Sequence, residues 1–525
     1  HPASRRLAGL ATLLLCGTPL LAADPTVADL NLAPAPGNGL AVQVGARTPG
    51  FLAALTLGGK RLVHGLAVND ATRDAVLPGL IGSGAHPFAT VSVWDAFPRL
   101  PYADRLVTFL ILDRDELAGS APSAAECLRV VEPGGVILER IKGAWKSTVV
   151  PQPAGLGDWT HFDGGADGNA VSTDIEATAI RGLQWIDNVR EVRWAKSGPH
   201  GGEGGNIRIL GRHAVIDARI FPEDKDPKFE RRILLECRDV NNGLLIWQKA
   251  RSWSLGGSRW SLAAGAGQCF TWLNEDGPLT AIDLATGHEV RTYPGSEIKP
   301  WLQAQHGKDG AEPKLRKSMQ GNNHWVRVTG TTVLANGDGT LRAWTLDAKP
   351  LWEFHRPGVR LETPVVDEKR GLVYGLLIKD EVVDKWGKGP ILWSRWTTSK
   401  QVTGLVALDL KTGRLKWENT DIASRDTDIL LFQEKQTQRT AFGQLLVAGD
   451  HVIAYNSKAI SGGTAQFIAS IDAATGKTAF FDPRTFIYTN PHGRVETHSG
   501  YCAIARDGLV SVSYTHLTLP TNREV

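Results

Sequence analysis

One short pattern constrains this chain more than any other: an alternating apolar segment that ends in Asp, turns at a Gly and runs towards a Trp. It is clearest at 406–417, which reads VALDLKTGRLKW. Alternation predicts a half-buried strand, and Asp followed by a Gly able to take positive φ predicts a tight turn into a second strand. Further copies lie at 237–247, 281–287 and 470–476, with a looser copy at 343–352. The sequence therefore predicts a series of antiparallel sheets downstream of about residue 180.

Repeats at this spacing, each with room for four strands, are typical of β-propeller blades. An indole buried between neighbouring blades would remove about 150 to 250 Å² from water, which favours folding by roughly 4 to 6 kcal/mol before ordering entropy is subtracted. We place the blades at 205–250, 258–294, 322–356, 362–420 and 443–483, with the start of a sixth at 497–513. Structural docking roles are predicted for Asp239, Trp247, Asp283, Trp352, Asp409, Trp417 and Asp472.

The repeat resembles the tryptophan-docking motif of the pyrroloquinoline-quinone (PQQ) propeller superfamily, over residues 181–512. That superfamily holds quinoprotein dehydrogenases and also non-catalytic BamB-like propellers of outer-membrane biogenesis. The resemblance implies an all-β propeller and leaves the activity open. Because such propellers close with seven or eight blades, we expect an incomplete array of about five to six. Residues 513–525 break the repeat and are expected to be a non-native tail on what is then a fragment.

Composition narrows the function classes. The 525 residues carry a net charge of +3 without long charged runs, which gives no basis for nucleic-acid binding. Residues 1–23 read as a signal peptide, with Arg5-Arg6 before an apolar run and small residues before Asp24. No second long apolar segment follows, so no transmembrane segment is predicted. We expect an exported protein of the periplasm or cell envelope.

Residues 34–145 have a different texture, in which short apolar runs alternate with helix-like segments and so predict a parallel sheet. The sequences LPYAD at 100–104 and LRVVEPGG at 128–135 resemble motifs of the class I S-adenosylmethionine-dependent methyltransferases. The resemblance implies a Rossmann-like α/β fold, with cofactor-binding positions at Gly45, Asp95 and Asp104. Residues 146–180 are interpreted as a linker and entry segment.

The cofactor-binding loop departs from that family's pattern, which has an acid and GxGxG after the first strand and another acid after the second. Gln43 replaces the first acid, while Arg47 and Pro49 occupy glycine positions. Ala67 stands where a ribose-binding carboxylate belongs. We therefore expect a degenerate, truncated methyltransferase-like domain rather than an active one.

Polar clusters containing histidine precede several predicted innermost strands. Innermost strands line the central channel of a propeller, so these side chains are candidates for a funnel rim that binds a metal or carbohydrate hydroxyls. Polar residues that satisfy loop amides are the simpler interpretation, and no metal is predicted. The funnel-rim candidates are His200, Asn323, His324 and His498. Cys237 and Cys269 fall in neighbouring blades and pair only if their Cβ atoms meet.

The function expected from the sequence is that of an exported, non-enzymatic scaffold or binding protein whose propeller engages protein or carbohydrate. Three alternatives stay open: a PQQ-dependent dehydrogenase with calcium, an S-adenosylmethionine-dependent methyltransferase, and a carbohydrate-active propeller. The resemblance implies a vicinal Cys-Cys pair for the first, and no two cysteines are adjacent in this sequence. Gln43, Arg47 and Ala67 weigh against the second, as does export away from a cytoplasmic cofactor.

Overall fold

The computed structural model describes residues 39–94, 99–175, 206–220, 232–252, 260–274, 277–298, 301–304, 315–318, 324–336, 340–384, 396–423, 439–440, 444–460, 463–487, 503–506 and 509–512. The chain divides into two compact units, His1–Pro151 and Gln152–Val525. The predicted signal peptide lies outside the described residues, as do Asp95, His200, Asn323 and His498.

The first unit is a six-stranded sheet with helices on both faces. Its strands are β1 (Gly39–Val44), β2 (Arg61–Ala67), β3 (Ala89–Val93), β4 (Val107–Asp113), β5 (Val131–Ile141) and β6 (Ala144–Val149). Its helices are α1 (Pro49–Leu55), α2 (Asp70–Gly82), α3 (Arg114–Leu117) and α4 (Ala124–Val130), with a 3₁₀ turn at Ala118–Ser120. The strand order is β3-β2-β1-β4-β5-β6, in which β1 to β5 are parallel and β6 is antiparallel to β5. This is a Rossmann-like fold, as the sequence predicts.

An apolar layer covers each of the two faces of this sheet. Leu52 of α1 and Leu80 of α2 pack on the face that carries Val63, and Cys127 of α4 packs on the face that carries Leu110. Helix α2 begins where the side-chain oxygen of Asn69 accepts a hydrogen bond from the Thr72 amide, at 2.9 Å. Burial of both faces explains why β1 and β4 are almost wholly apolar.

Strand β6 corrects the predicted domain boundary. The sequence predicts a linker and entry segment over residues 146–180, whereas Ala144–Val149 pairs with β5 as an edge strand. Most of its side chains are exposed or half-buried, so its sequence lacks the apolar run that identifies the inner strands.

The second unit is a series of antiparallel sheets in chain order. The first sheet holds β7 (Asn206–Leu210), β8 (His213–Ile220), β9 (Arg232–Asp239) and β10 (Leu245–Arg251). The second holds β11 (Leu262–Gly265), β12 (Gln268–Trp272), β13 (Leu279–Asp283) and β14 (Glu289–Tyr293). A two-stranded ribbon follows, β15 (Trp301–Ala304) and β16 (Leu315–Ser318).

After the ribbon, the series continues with two four-stranded sheets and one five-stranded sheet. The third holds β17 (Trp325–Val328), β18 (Thr332–Asn336), β19 (Leu341–Thr345) and β20 (Pro350–Phe354). The fourth holds β21 (Arg360–Asp367), β22 (Leu372–Asp384), β23 (Trp396–Asp409) and β24 (Leu415–Asn419). The fifth holds β25 (Arg439–Thr440), β26 (Gln444–Ala448), β27 (His451–Ile460), β28 (Gly463–Asp472) and β29 (Thr478–Ile487), and β30 (Ala503–Arg506) pairs with β31 (Leu509–Val512).

One edge strand of each sheet lies beside an edge strand of the next sheet, and we call these edge strands the inner strands. Strand β11 lies beside β7 and β17, β21 lies beside β17 and β26, and β30 lies beside β26. The inner strands β7, β11, β17, β21 and β26 thus follow one another in space as they do in sequence.

Three further findings concern membrane spans, metal ligands and cysteines in the described part of the chain. None of its helices is long and apolar enough to cross a membrane. Within those residues, no cluster of His, Cys, Asp and Glu could hold a metal ion. Cys127, Cys237 and Cys269 are buried free thiols, so Cys237 and Cys269 do not form a disulfide.

Candidate functional site

The Rossmann-like unit has a candidate ligand site at its switch point, the place where the strand order of the sheet reverses. Ligands of such sheets bind outside the carboxyl ends of the strands where the strand order reverses, which here is between β1 and β4. Gly45 directly follows β1, and its amide donates to the Leu66 carbonyl at 2.8 Å. Its φ is +80°, a backbone conformation that glycine adopts more readily than other residues.

Side chains of the chain itself lie at the crevice beside Gly45. A Cβ added to Gly45 would lie 3.2 Å from Cδ2 of Leu117, so this leucine covers the glycine. Arg47, two residues past Gly45, forms an ion pair with Glu116 of α3. Helix α3 begins immediately after β4, so residues from both sides of the switch point meet across it.

The carboxyl end of β2 cannot hold a ribose. Ala67 ends this strand and is fully buried, and an alanine side chain has no hydrogen-bonding group for sugar hydroxyls. Gln43, at the position of the family's first acid, is also buried, with 4% of its surface exposed. The residues present therefore do not fit an adenosine-type cofactor in the manner that the resemblance implies.

Asp104 has a structural partner. Its carboxylate accepts a hydrogen bond from Arg129 Nη1 at 2.7 Å, and the same guanidinium binds Glu126 and the Tyr102 carbonyl. Glu126 in turn accepts the Leu100 amide at 2.6 Å. The LPYAD segment is thereby tied to α4, which accounts for the polar residues in this motif without a ligand.

A hydrogen-bonded chain that the sequence did not reveal crosses β2 and β3. His64 Nε2 lies 2.6 Å from Ser92 Oγ, and His64 Nδ1 lies 2.8 Å from the Tyr102 hydroxyl. Burial lowers the pKa of His64 and raises the pKa of Tyr102, so both are neutral near pH 7. Each of the three side chains thus has a hydrogen-bond partner within the protein. These hydrogen bonds tie Tyr102 to β2 and β3.

In the second unit, tryptophans dock on the turn of the following sheet. Trp247 Nε1 donates to the Leu284 carbonyl at 2.8 Å, Trp352 Nε1 to Leu410 at 2.8 Å, and Trp417 Nε1 to Ala473 at 3.1 Å. Each indole lies on the glycine of that turn, where an added Cβ would meet the ring at 2.6 Å. These glycines are Gly287, Gly413 and Gly476, all at positive φ. Only glycine fits this combination of backbone conformation and contact.

The second sheet uses arginine instead. Ala281 pairs with Arg291 as Ala343 pairs with Trp352 and Ala407 with Trp417. Arg291 Nη1 donates to the Leu346 carbonyl at 2.7 Å. The sequence pattern required Trp and so missed this residue.

The aspartates of the repeat shape the turns. Asp409 Oδ1 accepts the Thr412 amide at 3.0 Å and the Thr412 hydroxyl at 2.9 Å, and Asp472 binds Thr475 in the same way. The Thr412 hydroxyl and the Lys416 ammonium lower the pKa of Asp409. In the third sheet Thr345 replaces Asp, and the turn to Lys349 is one residue shorter.

Residues 159–167, which we call the axial segment, contact all five inner strands in chain order. Trp159 pairs with Ile209 of β7, with N–H to O distances of 2.9 and 2.8 Å. Three amides then donate to the segment: Ala264 of β11 to the Thr160 carbonyl at 2.8 Å, Val366 of β21 to Ala166 at 2.8 Å, and Val447 of β26 to Asp167 at 2.9 Å. This path is not predictable from the sequence, because its contacts are made by backbone groups to strands that are distant along the chain.

Strand β17 holds the segment through side chains. Arg327 donates to both carboxylate oxygens of Asp163, at 2.5 and 2.9 Å, and its Nε donates to the Pro364 carbonyl. The Val328 amide donates to His161 Nε2 at 3.0 Å, so this imidazole is neutral. Burial and then the charges of Arg327 and Arg208 hold the pKa of His161 well below its usual value. The axial segment thus meets β17 through polar groups that satisfy one another.

Of the funnel-rim candidates, His324 is described. It is buried, with 3% of its surface exposed, and its ring packs edge-on against Trp272 of the second sheet at 5.3 Å between centroids. The other three candidates lie outside the described residues.

No protein-family model matches this chain, and no curated protein matches it. Solved structures that resemble it include geranyl diphosphate C-methyltransferase from Streptomyces coelicolor, at 16% identity and TM-score 0.18, covering 21% of this chain and 40% of that one. The YcgJ protein of Bacillus subtilis matches at 15% identity and TM-score 0.18, covering 21% and 47%. The cyclase SpnF matches at 19% identity and TM-score 0.20, covering 21% and 42%. This chain spans less than half the length of each, and the Rossmann-like assignment rests on the strand order of the first unit.

Proposed function

We propose that this chain is a non-catalytic binding or scaffold protein of the cell envelope, in which a Rossmann-like unit accompanies a propeller-like array. One observation carries the proposal: the chain's own side chains lie, bound to one another, at both places where such folds would hold a cofactor. At the switch point these are Arg47, Glu116 and Leu117, and at the centre of the array they are His161 and Asp163.

A radial arrangement of the sheets is inferred from the reach of the axial segment. Eight residue steps separate Trp159 from Asp167, which is about 29 Å when fully extended. The hydrogen bond between the His161 amide and the Gly164 carbonyl shortens that reach to about 24 Å. Five sheets stacked face to face at about 10 Å would separate the first and fifth inner strands by about 40 Å. The segment contacts both strands, which supports sheets that converge on it.

The docking contacts support the same arrangement. Each indole or guanidinium links the outer strand of one sheet to a turn of the next. Such an array exposes its loops and sheet rims, and we assign these to protein or carbohydrate partners. PQQ and calcium at the centre would have to displace the ion pair between Arg327 and Asp163, which argues against the dehydrogenase alternative.

The methyltransferase alternative is favoured by the strand order and by Gly45 at positive φ. It requires a ribose-binding group that Ala67 does not supply, and an open crevice where Leu117 lies. Isothermal titration calorimetry of the full chain with S-adenosylmethionine, and with PQQ plus calcium, separates the three functions. We expect no heat of binding from either. Heat from S-adenosylmethionine that is lost in Gly45→Val would replace the scaffold proposal with the methyltransferase one.

Partner binding is tested directly on glycan arrays and by crosslinking in envelope extracts. A partner should be recovered with the wild-type chain and with Arg47→Ala alike, because the proposal places binding on the sheet array. Absence of any protein or carbohydrate partner in both assays would contradict a scaffold function.

A further inference from the structure

The axial segment has the character of a bound peptide. It makes antiparallel backbone pairing with one strand, gives carbonyls to the amides of three others, and places one carboxylate against a buried arginine. Peptide-binding proteins use this combination: main-chain hydrogen bonds for affinity and a side-chain pocket for specificity. All of these contacts lie within the second unit.

We propose that the centre of the sheet array is a binding site for an acidic peptide that turns between its contacts with the strands, filled in this chain by its own residues 159–167. The carboxylate of Asp163 is the specificity group, because Arg327 meets it with two parallel N–H donors in a buried setting. His161 adds a second selective contact by accepting the Val328 amide. The inference does not depend on the scaffold proposal or on which partner binds the outer surface.

Gly168 marks the close fit at the end of the segment. A Cβ there would lie 2.5 Å from the Leu445 carbonyl oxygen and 2.6 Å from Val365 Cγ1, and φ is +71°. A ligand peptide of the same class is therefore expected to carry an aspartate followed, five positions later, by glycine. Both features are present in residues 157–170, which read GDWTHFDGGADGNA.

The test weakens the tethered segment and supplies it again in trans. A fluorescein-labelled synthetic peptide of residues 157–170 is titrated against the full chain carrying Asp163→Ala, with fluorescence anisotropy as readout. The tethered segment acts at an effective concentration in the millimolar range, so the wild-type chain should exclude the peptide. We expect the variant to bind the peptide at least 10-fold more tightly than the wild type does.

Two controls bring out the role of the carboxylate. The same peptide with Asn in place of Asp163 should bind the Asp163→Ala chain at least 10-fold more weakly. Adding Arg327→Met to that chain should abolish binding of the original peptide. Equal binding of the acidic and amide peptides would overturn the assignment of Asp163 as the specificity group.

Folding of the variant is controlled separately. If Asp163→Ala does not fold, the milder Asp163→Asn chain is used, and if neither folds, the peptide is added during refolding. Recovery of a cooperative melting transition with the acidic peptide, and not with its Asn form, would support the site. Folded variants that bind no peptide, or unfolded ones that no peptide rescues, would show that the segment is a fixed part of the fold and overturn the proposal.

Discussion

Asp163 and Arg327 form a buried two-point ion pair although 164 positions separate them in sequence. The side chains are 5% and 2% exposed, so neither charge is solvated by water. Removing one partner of such a pair leaves an uncompensated buried charge, and this is more costly than the pair itself is favourable. The pair also joins the axial segment to the third sheet, so its loss should loosen the attachment of this segment to the sheets.

The Asp163→Ala variant tests this cost. We expect the free energy of unfolding to fall by about 3 to 5 kcal/mol, measured by urea denaturation. Asp158→Ala is the matched control from the same stretch, because Asp158 is exposed and its carboxylate accepts one amide hydrogen bond, from Gly211 at 2.8 Å. Its loss should be about 1 kcal/mol. Equal losses in the two variants would show that the buried ion pair contributes no more to the free energy of unfolding than an exposed hydrogen bond does.

Gly413→Ala tests the docking of Trp352. Gly413 has a φ of +68°, and an added Cβ would lie 2.6 Å from the indole. Gly371, in the same sheet, has a φ of +66° and nothing within 4 Å of an added Cβ. Both alanines bear the cost of positive φ, roughly 1 kcal/mol, and Gly413→Ala alone must also displace the ring. We expect Gly413→Ala to be less stable than Gly371→Ala by a further 1 to 3 kcal/mol or so in urea denaturation; indistinguishable variants would count against a fixed docking site.

The two kinds of docking residue should differ in how much they contribute to the free energy of unfolding. Trp352→Ala removes a large apolar surface together with one hydrogen bond, so we expect a loss of about 3 kcal/mol. Arg291→Ala removes a half-exposed cation, and we expect about 1 kcal/mol. Urea denaturation of both variants gives the comparison. A larger loss for Arg291→Ala would mean that the arginine contact, and not the indole, holds neighbouring sheets together.

What the sequence predicted was local. The turns at Asp283, Asp409 and Asp472 and the strands around them follow from short-range alternation and turn chemistry, and the structure has these turns. Arg291 was missed because its equivalence to Trp352 is a matter of strand register, which depends on the bulge in each hairpin.

The ion pair between the axial segment and β17 could not be predicted for a different reason. Asp163 lies in a segment rich in turn-forming residues that has no strand pattern, and its partner Arg327 is a single charge in an otherwise apolar strand. Nothing in either stretch indicates the other. In the first unit, by contrast, the loss of the ribose-binding acid at Ala67 is visible in the sequence because the position is fixed by the end of β2.

The neutral state of His161 gives the array a pH dependence with a definite sign. Burial holds its folded pKa below the unfolded value, so the unfolded state binds the proton first as pH falls. This contribution to stability is complete above about pH 6.5 and is lost as pH falls below it, by up to about 1.4 kcal/mol per pH unit. Between pH 7.5 and 5.5 the His161→Gln chain should therefore lose about 1 kcal/mol less unfolding free energy than the wild type. A wild-type slope in His161→Gln would mean that folding does not weaken proton binding by this imidazole.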